Sequence, residues 1–292
     1  LQINSLTPSC RRREGDEMAM SLHPKIPLLD HGYIQLIEVW GSDERIIESA
    51  RMSTSGAFRG WGTMEDCDVC HGRGVRESPM SPGIGTCGHC VRGKRVNKPG
   101  DEKLLRYLYE NKHSTPFEFG GLVVEVQAPI LVFREWHRHR TQSYTEMSAR
   151  YSPLPDLNYV PTPERCLFIN GQNKQANAIK GAEALTHEAA LGWLGELADV
   201  YEHEQRVYEH GLAIGIPKEL ARLPVPVGRY SRMRAATCLR NWLGFLTLRS
   251  DLSVEGGAAQ WETRQFANAL GTMLIEAFPR TMELFCEKAR LR

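Results

Sequence analysis

Arg138-His139-Arg140 is followed, seven residues on, by Ser148-Ala149-Arg150-Tyr151. Glu146, Ser148 and Arg150 stand at alternate positions, and in an extended segment alternate side chains share one face. An acceptor, a hydroxyl and a guanidinium on one face suit a polyanion that also carries hydroxyls. A nucleotide has that chemistry, and arginine matches phosphate with a planar, bidentate fork. A basic triplet taken alone is also the signature of a solvated face, so its context must decide. A second set is unambiguous in spacing: Cys67-x2-Cys70, sixteen residues, then Cys87-x2-Cys90. Two such pairs match a closed, tetrahedral, structural zinc site. Gly72, Gly74, Gly88 and Gly93 allow the tight backbone that each knuckle needs. His71 and His89 are nearby spare ligands, expected outside the first coordination shell.

These groups must be positioned by a chain of 292 residues, long enough for a sizeable core. The 36 basic and 35 acidic residues leave a formal charge of +1, which argues against the broad basic face of a non-specific nucleic-acid binder. No apolar run is long enough to span a bilayer. The first twenty residues are polar, basic at Arg11-Arg12-Arg13, and lack the apolar centre of a secretory signal. Residues 1–28 are expected to be a disordered tail. With no export signal, and with Cys10, Cys166, Cys238 and Cys286 scattered, the expected compartment is the reducing cytoplasm.

Periodicity places a strand over Gly32 to Val39 and a helix capped by Ser42. It places another helix over Asp101 to Lys112, a strand over Gly121 to Gln127, and a helix from Ile130 to His137 that delivers the basic triplet. Residues 161–181 read as a loop. A long helix is expected over Ala182 to Gly211, with Ala190, Leu194, Leu197, Tyr201 and Tyr208 on one stripe. Further helices are expected after Pro217, over Arg234 to Leu248, and over Ala258 to Phe278, where Pro279 ends or kinks the last. Helices outnumber strands, so the class is α+β. Residues 63–97 are rich in Gly and Cys and poor in large apolar side chains. They form a zinc-binding insertion within a domain of residues 29–62 and 98–292.

With these residues in view, the chain resembles the flavin-dependent thymidylate synthases. That family carries Arg-His-Arg, seven residues, then Ser-x-Arg-Tyr. Ala50-Arg51-Met52-Ser53, His113-Ser114-Thr115-Pro116-Phe117-Glu118, Ala221-Arg222, Arg240-Asn241, Phe245-Leu246-x-Leu248-Arg249 and Ala259-Gln260-Trp261-Glu262 resemble its other blocks. The resemblance covers roughly residues 30 to 60 and 100 to 285, leaving the cysteine segment outside. That segment is similar to the zinc repeats of the Hsp40 chaperones, a likeness we read as convergence on knuckle geometry.

The resemblance implies a mixed α/β core with a central antiparallel sheet flanked by helices. It also implies a homotetramer with active sites at subunit interfaces. The implied reaction converts dUMP to dTMP with FAD, NADPH and methylenetetrahydrofolate. Ser53, His113, Thr115, Glu118, Arg138, His139, Arg140, Glu146 and Arg240 would line FAD. Glu135, Arg138, Glu146, Met147, Ser148, Ala149, Arg150, Arg222 and Arg249 would hold the nucleotide, with Arg249 as the catalytic group beside the pyrimidine.

Two departures stand out. The family has Gln where Glu135 stands and Asn where Thr145 stands. A carboxylate near phosphate faces like-charge repulsion of ~4 kcal/mol at 4 Å and an effective dielectric near 20. Arg134 or Arg222 is therefore expected to neutralise Glu135, or Glu135 meets an exocyclic amine such as that of cytosine. The alternatives are the same chemistry on dCMP, hydroxymethyl transfer, and, from another class, a non-catalytic zinc-containing binding module.

Overall fold

The computed structural model describes residues 23–77, 84–87, 89–90, 93–98, 100–168, 178, 184–253 and 258–290. The described residues form the expected α+β fold around one antiparallel sheet. In chain order its strands are β1 (Ile26–Leu28), β2 (Gly32–Trp40), β7 (Gly121–Pro129), β8 (Ser143–Glu146) and β9 (Tyr230–Cys238); in space they run β1-β2-β7-β9-β8. Strand β7 is central because its alternation is strict. Leu122, Val124, Val126 and Ala128 are fully buried, while Val123, Glu125 and Gln127 are only partly covered.

Helices α1 (Asp43–Arg51), α2 (Glu102–Glu110), α3 (Ile130–Trp136), α7 (Leu239–Arg249), α8 (Trp261–Ala277) and α9 (Pro279–Arg290) supply most of the remaining core. Trp136 of α3 packs at 4.6 Å between ring centroids against Phe245 of α7 and edge-on to Trp242. This fixes α3, and with it the triplet that follows, against α7. Pro279 both ends α8 and starts α9, where a first-turn proline loses no hydrogen bond. The side chain of Asp43 then caps α9 from another helix. It accepts hydrogen bonds from the Arg280 and Thr281 amides at 2.8 and 3.2 Å and from the Thr281 hydroxyl at 2.5 Å.

Five expectations need correction. Residues 234–238 belong to β9, not to a helix. Their burial alternates, and they pair with both β7 and β8, so sheet hydrogen bonding overrides the helix preference of Ala235 and Ala236. Strand β8 stops at Glu146, so Ser148 and Arg150 lie in a turn (the Tyr151 amide donates to the Ser148 carbonyl at 3.0 Å) and not on one strand face with Glu146. Ile26–Leu28, assigned to the tail, pairs with β2; residues 1–22 lie outside the described residues. Within the expected loop, Pro163–Leu167 forms a short helix, α4, with Thr162 as its cap and proline in its first turn. The long helix α5 (His187–Ala213) starts at its Thr186 cap; Ala182, its expected start, lies outside the described residues.

The cysteine segment is an arm of two short hairpin-like pairs. Strand β3 (Thr63–Asp66) pairs with β6 (Lys94–Lys98), and β4 (Val75–Glu77) with β5 (Ile84–Thr86). The domain closes beneath it. A Cβ built on Gly100 would lie 2.0 Å from the Gly62 nitrogen, so the two ends of the arm touch. Buried Asp101 ion-pairs with Arg51 and accepts from the Arg59 amide at 2.8 Å, while Glu102 accepts from the Gly62 amide at 2.6 Å.

Candidate active site

Ser53, His113 and Thr115, distant in sequence, line one open cavity of about 540 Å³ together with Arg51, Thr54 and Ser114. The wall is built by the end of α1 and the one-turn 3-10 helix Thr115–Glu118. A smaller cavity of about 190 Å³ adjoins it, sharing His113 and Ser114 and reaching Arg240 of α7. Arg240 is aimed by Glu118, with Nη1 to Oε1 at 2.5 Å. Five of the residues expected at the flavin therefore gather in one region. Arg51 also faces this cavity. Its block is visible in sequence, but its hydrogen bond to Asp101 is not.

The second group forms at the other end of α7. Arg249 Nη1 lies 2.9 Å from Glu135 Oε2, and Arg249 Nε donates to His139 Nε2 at 3.1 Å. Glu135 is thus neutralised by Arg249 and by neither Arg134 nor Arg222. The cause is topological: α3 and α7 are clamped by the tryptophan contact, and the last turn of α7 faces the end of α3. Arg249 is 17% exposed, so this pair is partly shielded from solvent screening. The His139 ring also packs edge-on to Phe245 at 4.8 Å.

Burial pulls the His139 imidazole down to about 4, the Arg249 charge adds to this, and Glu135 opposes it. A ring that accepts at Nε2 is neutral and carries its proton on Nδ1. Below the ordinary value of 6.5 the unfolded chain binds a proton that the folded ring refuses, so His139 costs stability as pH falls from 6.5 toward 4. NMR titration should find His139 neutral across about pH 5 to 8. Glu135→Gln, which removes the one opposing charge, should shift its midpoint further down; an upward shift would show that the triad is not intact in solution.

The third group is the turn after β8. The Met147 amide donates to the Arg232 carbonyl at 2.8 Å, Ala149 is buried, and Ser148 Oγ accepts from the Arg150 amide at 3.3 Å. Arg150 reaches Glu219 of the short helix α6 (Lys218–Ala221) at 3.3 Å, and Lys218 donates to the Tyr151 carbonyl at 2.9 Å. Arg222, the residue after α6, is exposed. The turn and Arg222 are therefore brought to one surface. Arg138 and Arg140 are exposed, and among the described residues neither guanidinium has an ion-pair partner. Among the described residues no hydrogen bond or ion pair joins the turn to the residues lining the cavity of Ser53 and His113.

Fold and side-chain groups together define a class: a mixed α/β protein with a central antiparallel sheet and clusters of arginine, histidine and carboxylate side chains at its helix ends. The model of the family described as thymidylate synthase complementing protein (Thy1) matches residues 35–280. The flavin-dependent thymidylate synthase of Thermosipho africanus is 29% identical over 262 residues, spanning 90% of this chain and 94% of that protein. That of Thermus thermophilus is 33% identical over 264 residues, spanning 90% and 78%. The solved structure of a UMP/dUMP methylase, PolB from Streptomyces cacaoi, bound with 5-Br dUMP, superposes with a TM-score of 0.67 at 26% identity. It covers 91% of this chain and 99% of that one. The chain belongs to the thymidylate synthase complementing protein family.

Proposed function

We propose that this protein methylates dUMP to dTMP in a flavin-dependent reaction that uses methylenetetrahydrofolate and NADPH. The observation that carries the reading is the Glu135–Arg249–His139 triad at one end of α7. It stands in a chain that shares its fold with a UMP/dUMP methylase. FAD would be held by Ser53, His113 and Thr115, with Arg240 and Glu118 at the rim; bound there, it supplies the redox chemistry. Uracil C5 becomes nucleophilic only as the ring takes on enolate-like charge. A shielded guanidinium such as Arg249 favours that charge where it develops. Neutral His139 orients the guanidinium without competing for the anion. Arg150 is released readily to phosphate, since an exposed pair such as Arg150–Glu219 is worth only about 0–1 kcal/mol.

A homotetramer with shared active sites fits two features. Among the described residues the turn of residues 147–151 shares no hydrogen bond or ion pair with the cavity of Ser53. Trp193, Val200 and Val207 of α5 and Ile214 at its C-cap form an exposed stripe at seven-residue spacing, each 46–62% exposed. Such a stripe suits packing against a second copy. Among the described residues no helix is long and apolar enough to cross a membrane.

One observation favours a second substrate. The Glu135 carboxylate can only accept hydrogen bonds, and the exocyclic amine of cytosine offers donors. The deciding assay supplies FAD, NADPH and methylenetetrahydrofolate, adds dUMP or dCMP, and reads products by mass. A methylated dUMP product is expected, and a hydroxymethylated one would redirect the chemistry. In Glu135→Gln, an unchanged ratio of dUMP to dCMP turnover would discard the cytosine reading.

A further inference from the structure

We infer that the arm is a metal site of its own, taking one zinc ion in a closed cage of Cys67, Cys70, Cys87 and Cys90. Their four Sγ atoms all lie within 4.8 Å of one another, with Cys67–Cys87 at 4.0 Å and Cys70–Cys90 at 3.5 Å. Zinc–sulfur bonds of about 2.3 Å make a tetrahedron with edges of about 3.8 Å. A disulfide needs about 2.05 Å, and these cysteines are free thiols.

Packing excludes the bland alternative of ordinary core cysteines. Cys67 and Cys70 are fully buried and Cys87 nearly so, yet among the described residues the cluster they form contains no other apolar residue than Cys90. The sulfurs are thus gathered against one another and not into a hydrophobic core. The backbone is built around the same point. The Cys67 amide donates to the Gly93 carbonyl at 2.7 Å and the Cys87 amide to the Gly74 carbonyl at 2.9 Å, so each knuckle is tied to the other. The Gly74 amide donates to Cys70 Sγ at 3.2 Å, a contact that favours thiolate. At Gly93, with φ +85°, a Cβ would stand 1.9 Å from the Gly72 carbonyl oxygen, so only glycine lets the two turns meet.

Four thiolates select a soft or borderline cation over magnesium or calcium, and four protein ligands leave no place for water. The metal is therefore structural. It is independent of the dUMP reaction, because no arm residue belongs to the groups described above.

The test uses the full-length protein without an affinity tag that binds metal, purified under reducing conditions. Elemental analysis should find one zinc per chain that survives dialysis. Replacement by cobalt should produce the sulfur-to-cobalt charge-transfer and d–d bands of a tetrahedral thiolate site. In Cys87→Ser, amide exchange at Cys67 and Gly74 should accelerate about a hundredfold or more, while Leu122 to Ala128 of β7 stay protected. If that variant aggregates, the cobalt spectrum of the unaltered chain still decides. Sub-stoichiometric metal after zinc loading overturns the proposal, as do thiols that resist alkylation because they have paired as disulfides. None of these readouts involves turnover, so their failure is separable from failure of the methylation reading.

Discussion

Arg249→Ala is expected to lower kcat for dUMP by about 10²- to 10³-fold, the scale for removing one preorganised donor from developing negative charge. The effect should fall on kcat more than on KM, because the interaction strengthens only as the ring becomes enolate-like. Arg249→Lys should recover little. The arginine uses Nε toward His139 and Nη1 toward Glu135 at once, and an ammonium cannot reproduce that fork. Removing Arg249 also leaves the Glu135 carboxylate without its partner at the proposed nucleotide site. Glu135→Gln in the Arg249→Ala background should therefore restore part of the lost dUMP turnover. Steady-state and single-turnover kinetics check both variants. A raised KM with unchanged kcat would reduce Arg249 to a uniform binding contact.

Asp43→Ala should be the most damaging substitution to the fold among those away from the cleft. Asp43 is 3% exposed and satisfies three donors at the start of α9. Alanine leaves them unsatisfied in a dry site, at a cost of about 3 kcal/mol or more. Asparagine is no remedy, since its amide presents N–H groups where an acceptor is required. A large drop in melting temperature is expected, and a change of only a degree or two would refute the capping role.

The acid limb of stability should come from elsewhere. Burial raises Asp43 above 3.8 despite its hydrogen bonds, so protonating it does not by itself favour unfolding. Asp101 has the opposite sign. Burial would raise it, but the Arg51 side chain and the Arg59 amide outweigh burial and hold it below 3.8. Its contribution is present above that value and is lost as pH falls through the lower, folded-state value.

Patterns that depend on neighbours in sequence are legible. The alternation of β7, the Ser42 cap of α1, the stripe on α5 and the knuckle spacing each follow from local chemistry. The end of strand β9 reads as helix because Arg234-Ala235-Ala236 favours one in isolation. The reason it is extended lies across the sheet, where fully buried Ala235 sits opposite Val124. The Glu135–Arg249–His139 group divides in the same way. The residue types at 135, 139 and 249 are visible in sequence, but their pairing is not. His139 and Arg249 are 110 positions apart and meet only because two tryptophans lock α3 to α7. Arg134 and Arg222 are reasonable partners for Glu135 by charge; geometry chooses otherwise.

The touching backbones at Gly62 and Gly100 also bear on the order of events after synthesis. The loop-closure entropy of joining α1 to α2 is met once, at Asp101, whatever the intervening segment is doing. The sheet and its helices need not wait for a scarce ion before they assemble. On the zinc site proposed above, a cell short of zinc would accumulate molecules whose sheet and helices are complete and whose arm alone awaits ordering.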